Sequence, residues 1–434
     1  MAGGTFLTQN RVRAGVYINF RSAGRKAAAV GSRGTAALPM EIGFGPAGKL
    51  LPVTADTDVR KLFGYRAGDP ALLLLQECAK RAGTVLAYRL AEGGKASCTG
   101  GNLTATAKYG GSRGNALAVR ITAEAGAFRV ETLLDGEALD VQHGTEVSDL
   151  SANSWVEFSG SGALSPQAGL VLSGGTDEKA DAESYRGFFK ALETADFQTF
   201  ALPSDDMEVI REAAAFTVRM REQEGKKIQA VVAGYPQANH EGVISVKNGV
   251  LLENGTELTA AQATAFAAGM TAGAQVNESN TYGVYDGAAD VRERMTGSEI
   301  EAALKAGEWV FLPKGNRVVL EQDINTFTAF SPEKGRAFSK NRLLRVMDGL
   351  AEDLKRLFEE QYLGKTGNSA DGRSLFRAEV LGYLQQLAEI GAIDGTGPED
   401  VEVLPGQEAD AVTVNLQLRP VDSMEKLYMT VEIR

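Results

Sequence analysis

Cysteine and histidine are scarce in this sequence, and their scarcity excludes several classes of site. The 434 residues include two cysteines and two histidines. Two cysteines cannot form a disulfide framework, and neither histidine has a second histidine or cysteine at metal-ligand spacing. We therefore expect no structural zinc site, and the composition fits a protein that folds in a reducing cytosol.

Long apolar runs and an excess of basic residues are also missing. The most apolar short run, "ALLLLQECA" at 71–79, is about half the length that a membrane-spanning helix requires. The N-terminus has no continuous apolar stretch after its first charges, so no signal peptide is predicted. The formal net charge is −11, which leaves no global electrostatic footprint for nucleic acid. We expect neither a nucleic-acid partner nor direct membrane insertion.

The motifs that could indicate catalysis are incomplete. His143 in "DVQHGTE" and His240 in "QANHEGV" both lie in predicted turns and are expected to be solvated. The glycine-rich "YGGSRGN" at 109–115 lacks the Gly-Lys-Ser/Thr ending of a phosphate loop, and a β-type alternation follows it where a phosphate site needs a helix. It is predicted to be a glycine-lined bend between strands. We predict no catalytic, cofactor-binding or metal-binding residue, and an α/β enzyme is the least favoured function.

Hydrophobic patterning divides the chain into regions of different character. A helix over 70–81 followed by a buried strand over 84–90 predicts an α/β unit. Short alternating runs with turn signals about every ten residues then predict a β-sandwich or barrel over 96–172, with a hairpin turn at Asp135-Gly136. Helices alternate with strands again from about residue 185, and we interpret this block as a continuation of the first α/β domain. The helices predicted in it cover 206–224, 259–272 and 298–306.

The last hundred residues have a different pattern. A long amphipathic helix is predicted over 338–362 and a second helix over 375–390. The strand-like stretches "VEVLPGQ", "AVTVNLQL" and "MEKLYMTVEIR" follow. Two helices packed on a short antiparallel sheet are therefore expected. Earlier in the chain, Gly269 and Gly273 stand four residues apart in a predicted helix and indicate close packing against another helix.

Each end of the chain carries a strand-like arm in which apolar residues recur with a period of two. An unpaired edge strand is a template for aggregation, so two such arms require a partner that covers them. The residues that define the apolar faces of the arms are Val12, Val16, Ile18 and Phe20 at the start and Leu427, Met429, Val431 and Ile433 at the end.

A run of basic residues stands out in an otherwise acidic protein. One interpretation is the solvated start of a helix. The other is a patch that binds an acidic partner surface, since charge complementarity fixes orientation and register. The run consists of Lys334, Arg336, Lys340, Arg342 and Arg345.

Nine stretches, in order along nearly the whole chain, resemble the tail sheath proteins of contractile-tailed bacteriophages and phage-tail-like particles. They are "AGVYINF", "ALPMEIGFGP", "LTATAKYGGSRGN", "GGTD", "GKKIQAVVAG", "AGAQVNESNTYGVYDGA", "EQDINTFTAF", "SKNRLLRVMDGL" and "VDSMEKLYMTVEI".

The resemblance implies a structural subunit that polymerises around a tail tube and contracts to drive the tube through a cell envelope. It implies a multidomain α+β fold: an α/β core with a β-sandwich-like insertion, a C-terminal α+β domain, and terminal strand arms exchanged between subunits. The partners it implies are neighbouring sheath subunits, the tail tube protein, and baseplate and tail terminator proteins. We assign the tube contact to Lys334, Arg336 and Lys340. The alternative function is another self-assembling polymer of the tube or surface-layer type.

The resemblance also implies a location and a domain division. The location is a virion tail or phage-tail-like particle that is assembled in the host cytoplasm. The expected segments are an N-terminal linking arm at 1–24, the α/β domain at 25–95 and 179–330, the outer β-rich insertion at 96–178, the inner C-terminal domain at 331–419 and the C-terminal linking arm at 420–434.

Overall fold

The computed structural model describes residues 2–4, 15–17, 30–31 and 33–433. The chain divides into two compact units. We call the first, residues 1–31 with 349–421, the small unit. We call the second, residues 32–348 with 422–434, the large unit.

The strands, in chain order, are β1 (Ala2–Gly4), β2 (Gly15–Tyr17), β3 (Thr35–Met40), β4 (Leu50–Val53), β5 (Thr84–Arg89), β6 (Ser97–Gly100), β7 (Leu103–Ala107), β8 (Leu117–Glu124), β9 (Ala127–Leu134), β10 (Glu137–Gly144), β11 (Val156–Gly160), β12 (Gln167–Val171), β13 (Thr199–Ala201), β14 (Gln229–Ala233), β15 (Val243–Val246), β16 (Val250–Leu252), β17 (Glu257–Leu258), β18 (Ala288–Val291), β19 (Glu308–Trp309), β20 (Phe311–Lys314), β21 (Arg317–Leu320), β22 (Val401–Pro405) and β23 (Val412–Leu416). The α-helices are α1 (Val59–Phe63), α2 (Leu73–Ala79), α3 (Ala182–Leu192), α4 (Met207–Glu222), α5 (Ala260–Gly273), α6 (Gly297–Lys305), α7 (Asn341–Gln361) and α8 (Ala370–Glu389).

A seven-stranded sheet forms the centre of the large unit, in the order β19-β15-β14-β13-β3-β5-β4. Its neighbouring strands are parallel except for β4, which is antiparallel to β5 at one edge. Strand β3 lies beside β13, which follows the β-rich insertion. The prediction that the chain returns to the first α/β domain after the insertion is therefore confirmed.

Both faces of this sheet are covered because successive side chains of a strand point to opposite faces. In β3, Leu38 joins the core that contains α2 and α5, whereas Ala37 joins the core that contains α3 and α4. The second core is rich in stacked and edge-on phenylalanines, among them Phe188, Phe200 and Phe216. Such double coverage is typical of parallel sheets.

The region 96–172 forms a β-sandwich, which is one of the two architectures predicted for it, the other being a barrel. A four-stranded sheet, β10-β9-β8-β12, and a three-stranded sheet, β11-β7-β6, enclose one apolar core. Asp135 and Gly136 both have positive φ, at 55° and 79°, and join β9 to β10. This backbone is that of the two-residue hairpin turn that Asp-Gly predicts.

The glycine-rich stretch 109–115 is a bend between β7 and β8, as predicted. A Cβ on Gly110 would lie 1.8 Å from the carbonyl oxygen of Gly93, and Gly111 has φ of 128°. Glycine is therefore required here for close approach of two backbones and for a left-handed conformation.

The small unit contains residues of α7 from Gly349 onward, together with α8 and the hairpin β22–β23. Helix α8 packs on β22. The hydroxyl of Tyr383 donates a hydrogen bond to Asp353 Oδ2 at 2.8 Å, and Phe358, Tyr362 and Phe376 form an aromatic cluster. Strands β1 and β2 pair in parallel. The predicted short antiparallel sheet is the hairpin β22–β23. The described residues 424–433 form no strand within this chain, and their exchange into a neighbouring subunit stays a prediction.

Candidate functional site

The C-terminal arm is the most exposed apolar segment of the large unit. The four side chains predicted to share one face, Leu427, Met429, Val431 and Ile433, are between 69% and 94% exposed. Tyr428, on the opposite face, is equally exposed. A contiguous apolar surface of this kind marks an interaction site in a soluble protein.

The N-terminal arm is described only in part. Val12, Ile18 and Phe20 lie outside the described residues. Val16 lies in β2, where it is paired with Gly3 of β1. The roles of these four residues in subunit contacts stay predictions.

The basic run does not form one solvated surface, so neither interpretation of it holds for every member. Lys334 Nζ is 2.6 Å from Glu241 Oε2. Lys340 is buried and its ammonium pairs with the carboxylate of Glu425. Arg336 is exposed. The free positive charge near the predicted tube contact is therefore smaller than the sequence indicates.

Arg345, the last member of the run, is part of a buried polar network. Its Nη2 lies 2.5 Å from Asp323 Oδ2, and each of these side chains is 1% exposed. Asp323 also accepts hydrogen bonds from Asn341 Nδ2 at 2.9 Å and from the Asn280 backbone N–H at 3.0 Å. The network joins the start of α7 to two loops of the large unit. Sequence reasoning missed it because nothing in the local pattern separates this arginine from the exposed Arg336 in the same basic run.

His240 corrects a second expectation, since it is buried and not a solvated turn residue. Its Nδ1 accepts a hydrogen bond from the Gly242 backbone N–H at 3.0 Å. Its Nε2 lies 3.4 Å from Glu222 Oε1 and 3.7 Å from Glu241 Oε2. Burial lowers the pKa of this imidazole, so the neutral form is favoured.

His143 is exposed, as expected, but lies on strand β10 and not in a turn. Its Nε2 is 3.3 Å from Glu124 Oε2.

Burial raises the pKa of the Cys78 thiol to about 12, which keeps this sulfur protonated and unreactive at neutral pH.

Within 33–433 and the short described pieces before it, no group of His, Cys, Asp or Glu residues could hold a metal ion. No helix among these residues is long and apolar enough to cross a membrane.

Comparison with known families matches almost the whole described chain in four consecutive parts. Residues 33–90 match the tail sheath protein Gp18 domain III N-terminal region, and residues 90–177 match the phage tail sheath protein beta-sandwich domain. Residues 178–326 match the phage tail sheath protein central domain, and residues 333–434 match the phage tail sheath C-terminal domain.

Individual relatives are similar over their full lengths. The chain is 36% identical over 466 aligned residues to the phage-like element PBSX protein XkdK of Bacillus subtilis, and the alignment covers 100% of both chains. It is 46% identical to the crystal structure of the sheath tail protein from Desulfitobacterium hafniense, with a TM-score of 0.88 over 96% of this chain and 100% of that one. The helical sheath of the anti-feeding prophage in its contracted state shares the fold alone, at 13% identity and a TM-score of 0.61 over 96% of this chain and 98% of that one.

The multidomain α+β architecture with a β-sandwich and the family predicted from the sequence are both confirmed. The chain belongs to the phage tail sheath protein family and is a structural subunit of a tail sheath.

Proposed function

We propose that this sheath subunit polymerises around a tail tube and that the polymer contracts to drive the tube through the envelope of a target cell. The observation that carries the proposal is the exposed apolar arm at Leu427–Ile433. An exposed apolar segment of this size is unfavourable in water unless a partner covers it. The shared fold with the anti-feeding prophage sheath, a helical sheath solved in a contracted state, supports it. Contraction then needs no nucleotide, because a second packing of the same subunits is the more stable one and a trigger releases it.

The terminal arms are proposed to be exchanged between neighbouring subunits. The two-stranded sheet β22–β23 supports this, because an isolated pair of strands is only marginally stable and additional strands would complete it. Leu404 on β22 and Val414 on β23 are exposed large apolar residues in the same sheet. An added arm would gain roughly 1 kcal/mol net for each backbone hydrogen bond and about 1.5–3 kcal/mol for each apolar side chain that it buries fully.

Removing the exposed arm is expected to abolish assembly while leaving the subunit folded. The test compares the full chain with a chain that ends at Lys426, each co-expressed with the tail tube protein and viewed by negative-stain electron microscopy. Sheathed tubes should form with the full chain and be absent with the shortened one. The shortened subunit should stay folded, because none of the described residues 427–433 belongs to an apolar core of the large unit.

Two arm variants provide a matched comparison for this truncation. Val431→Asp places a charge on the apolar face and should reduce assembly, whereas Thr430→Asp places the same charge on the opposite face and should have a smaller effect. Equal assembly of the full and shortened chains would show that the arm is not exchanged.

The tube contact is proposed at Lys334, Arg336 and Lys340, and Arg336 is the member whose charge is most exposed. Reversing it with Arg336→Glu should weaken tube-templated assembly about fivefold at low salt, as expected for about 1 kcal/mol from one exposed charge pair. The difference should shrink as salt is added, because exposed charges are screened. Lys190→Glu, an exposed residue of α3, is the control. Equal loss in both variants, or none in either, would contradict the assignment.

We also propose the further partners of the polymer, its place of assembly and its domain division. Baseplate and tail terminator proteins are the proposed partners at the two ends of the polymer, and the host cytoplasm is the proposed place of assembly. The domain division at residues 24, 95, 178, 330 and 419 is also proposed. The family consists of structural sheath proteins, and we propose that this member acts without catalysis or a cofactor.

A further inference from the structure

We propose that Glu425 anchors the root of the C-terminal arm to its own subunit, so that only residues 426–434 form the surface that binds a second copy of this chain. The inference rests on the proposed arm exchange. It adds the residue at which the arm separates from its own subunit. It also gives Lys340 a role within the subunit, which removes Lys340 from the proposed tube contact and leaves that contact to Lys334 and Arg336.

The carboxylate of Glu425 is held by three side chains. Lys340 Nζ pairs with it, Thr281 Oγ1 donates to Oε1 at 2.9 Å, and Ser423 Oγ donates to the same oxygen at 3.2 Å. The ammonium supplies the opposite charge and the two hydroxyls supply donors, so the site matches a carboxylate. Asp422 Oδ2, 4.0 Å from Lys340 Nζ, is a second carboxylate that shares the ammonium at longer distance.

Burial separates Glu425 sharply from the rest of the arm. The side chains of Glu425 and Lys340 are 11% and 10% exposed. Met424 before the anchor and Leu427 after it are almost fully exposed. In the described segment 424–433, every residue except Glu425 is largely exposed to solvent. Within this segment the structure therefore holds the chain at Glu425 and leaves the residues beyond it uncovered.

Two of the groups that hold Glu425 are themselves held by other contacts in the large unit. Thr281 Oγ1 accepts a hydrogen bond from the Asp323 backbone N–H at 2.9 Å, and Lys340 forms a β-bridge with Ile324. Thr281 and Lys340, two of the three partners of Glu425, are thus held by the loop that carries Asp323, which pairs with the buried Arg345. Removing the carboxylate would leave the buried ammonium of Lys340 with less compensation, which is unfavourable.

The anchor sets how far the arm can reach. Residues 426–434 can extend at most about 30 Å, at roughly 3.3–3.6 Å for each residue. An open sheet edge of the second copy must therefore begin within that distance of Lys340. A fixed root also lowers the entropy that the arm loses on binding, because fewer residues remain to be ordered.

The experiment first measures the mobility of the arm root in the unassembled chain. A nitroxide spin label is attached at Met424→Cys or Met429→Cys in a Cys98→Ser background, where Cys78 stays unlabelled because it is buried. The label at 424 should be restricted and the label at 429 mobile. Glu425→Gln should make position 424 as mobile as 429, whereas the control Glu432→Gln, the same change in the free segment, should not.

Tube-templated assembly is then measured with the same variants. Glu425→Gln should lower assembly at least about tenfold, since hydrogen bonds to a charged group are lost, and Glu432→Gln should leave it near the wild-type level. Equal mobility at 424 and 429 in the wild-type chain, or wild-type assembly by Glu425→Gln, would overturn the anchor. Undiminished assembly by the chain ending at Lys426 would instead overturn arm exchange. The mobility measurement would still test whether Glu425 holds the arm root.

Discussion

Replacing Arg345 by methionine is expected to lower the free energy of unfolding of the large unit by about 3–5 kcal/mol. The guanidinium and the Asp323 carboxylate are both almost completely buried and lie 2.5 Å apart. Methionine fills much of the same volume but leaves a buried negative charge with two neutral donors, from Asn280 and Asn341. An uncompensated buried charge is among the most destabilising changes that a single substitution can make.

The measurement is denaturant unfolding followed by tryptophan fluorescence. Trp309 reports on this region because its indole N–H donates a hydrogen bond to the carbonyl of Ile324, the residue that follows Asp323. Lys305→Met is the control, since Lys305 is 79% exposed and its pair with Glu301 is worth little. We expect the control to change stability by less than about 0.5 kcal/mol. A similar small effect in both variants would mean that the Arg345–Asp323 pair is accessible to water.

Local sequence signals predicted the local features of this fold well. The Asp135-Gly136 hairpin depends on two residues that accept positive φ, so adjacent letters are enough to predict it. Helix α5, predicted over 259–272, begins at a local capping box in the structure: Thr259 Oγ1 accepts from the Gln262 backbone N–H, and Gln262 Oε1 accepts from the Thr259 backbone N–H.

Features that depend on contacts between residues far apart in the sequence could not be predicted from local signals. The environment of Lys340 is set by Glu425, and that of His240 partly by Glu222. Nothing in the neighbouring sequence identifies these two partners. The order of the central sheet likewise places β3 beside β13 across an entire inserted domain. The family came from resemblance along the whole chain, whereas charge, periodicity and spacing alone predicted only a multidomain protein that assembles.

Substituting alanine for Gly269 is expected to destabilise the large unit by about 2 kcal/mol. A Cβ at this position would lie 2.1 Å from the carbonyl oxygen of Cys78, which is backbone at the end of α2 and cannot rotate away. Overpacking of this kind costs about 1–3 kcal/mol or more, and the higher helix propensity of alanine returns at most about 1 kcal/mol. Gly273 makes the same approach to the carbonyl oxygen of Arg81, also at 2.1 Å, so two glycines of α5 line its contact with the end of α2 and the residues that follow it. The close packing predicted from the four-residue spacing is confirmed.

Gly297→Ala provides the matched control for this substitution. Gly297 is the first residue of α6 in the same unit, and a Cβ there would meet nothing within 4 Å. The same methyl group should therefore leave stability unchanged or raise it slightly, since alanine loses less backbone entropy than glycine on folding. Because the chemical change is identical, the difference between the two variants in denaturant midpoint isolates the contact between α5 and the end of α2. If Gly269→Ala proves as stable as Gly297→Ala, the two helices can separate without loss and the glycine stripe does not hold them together.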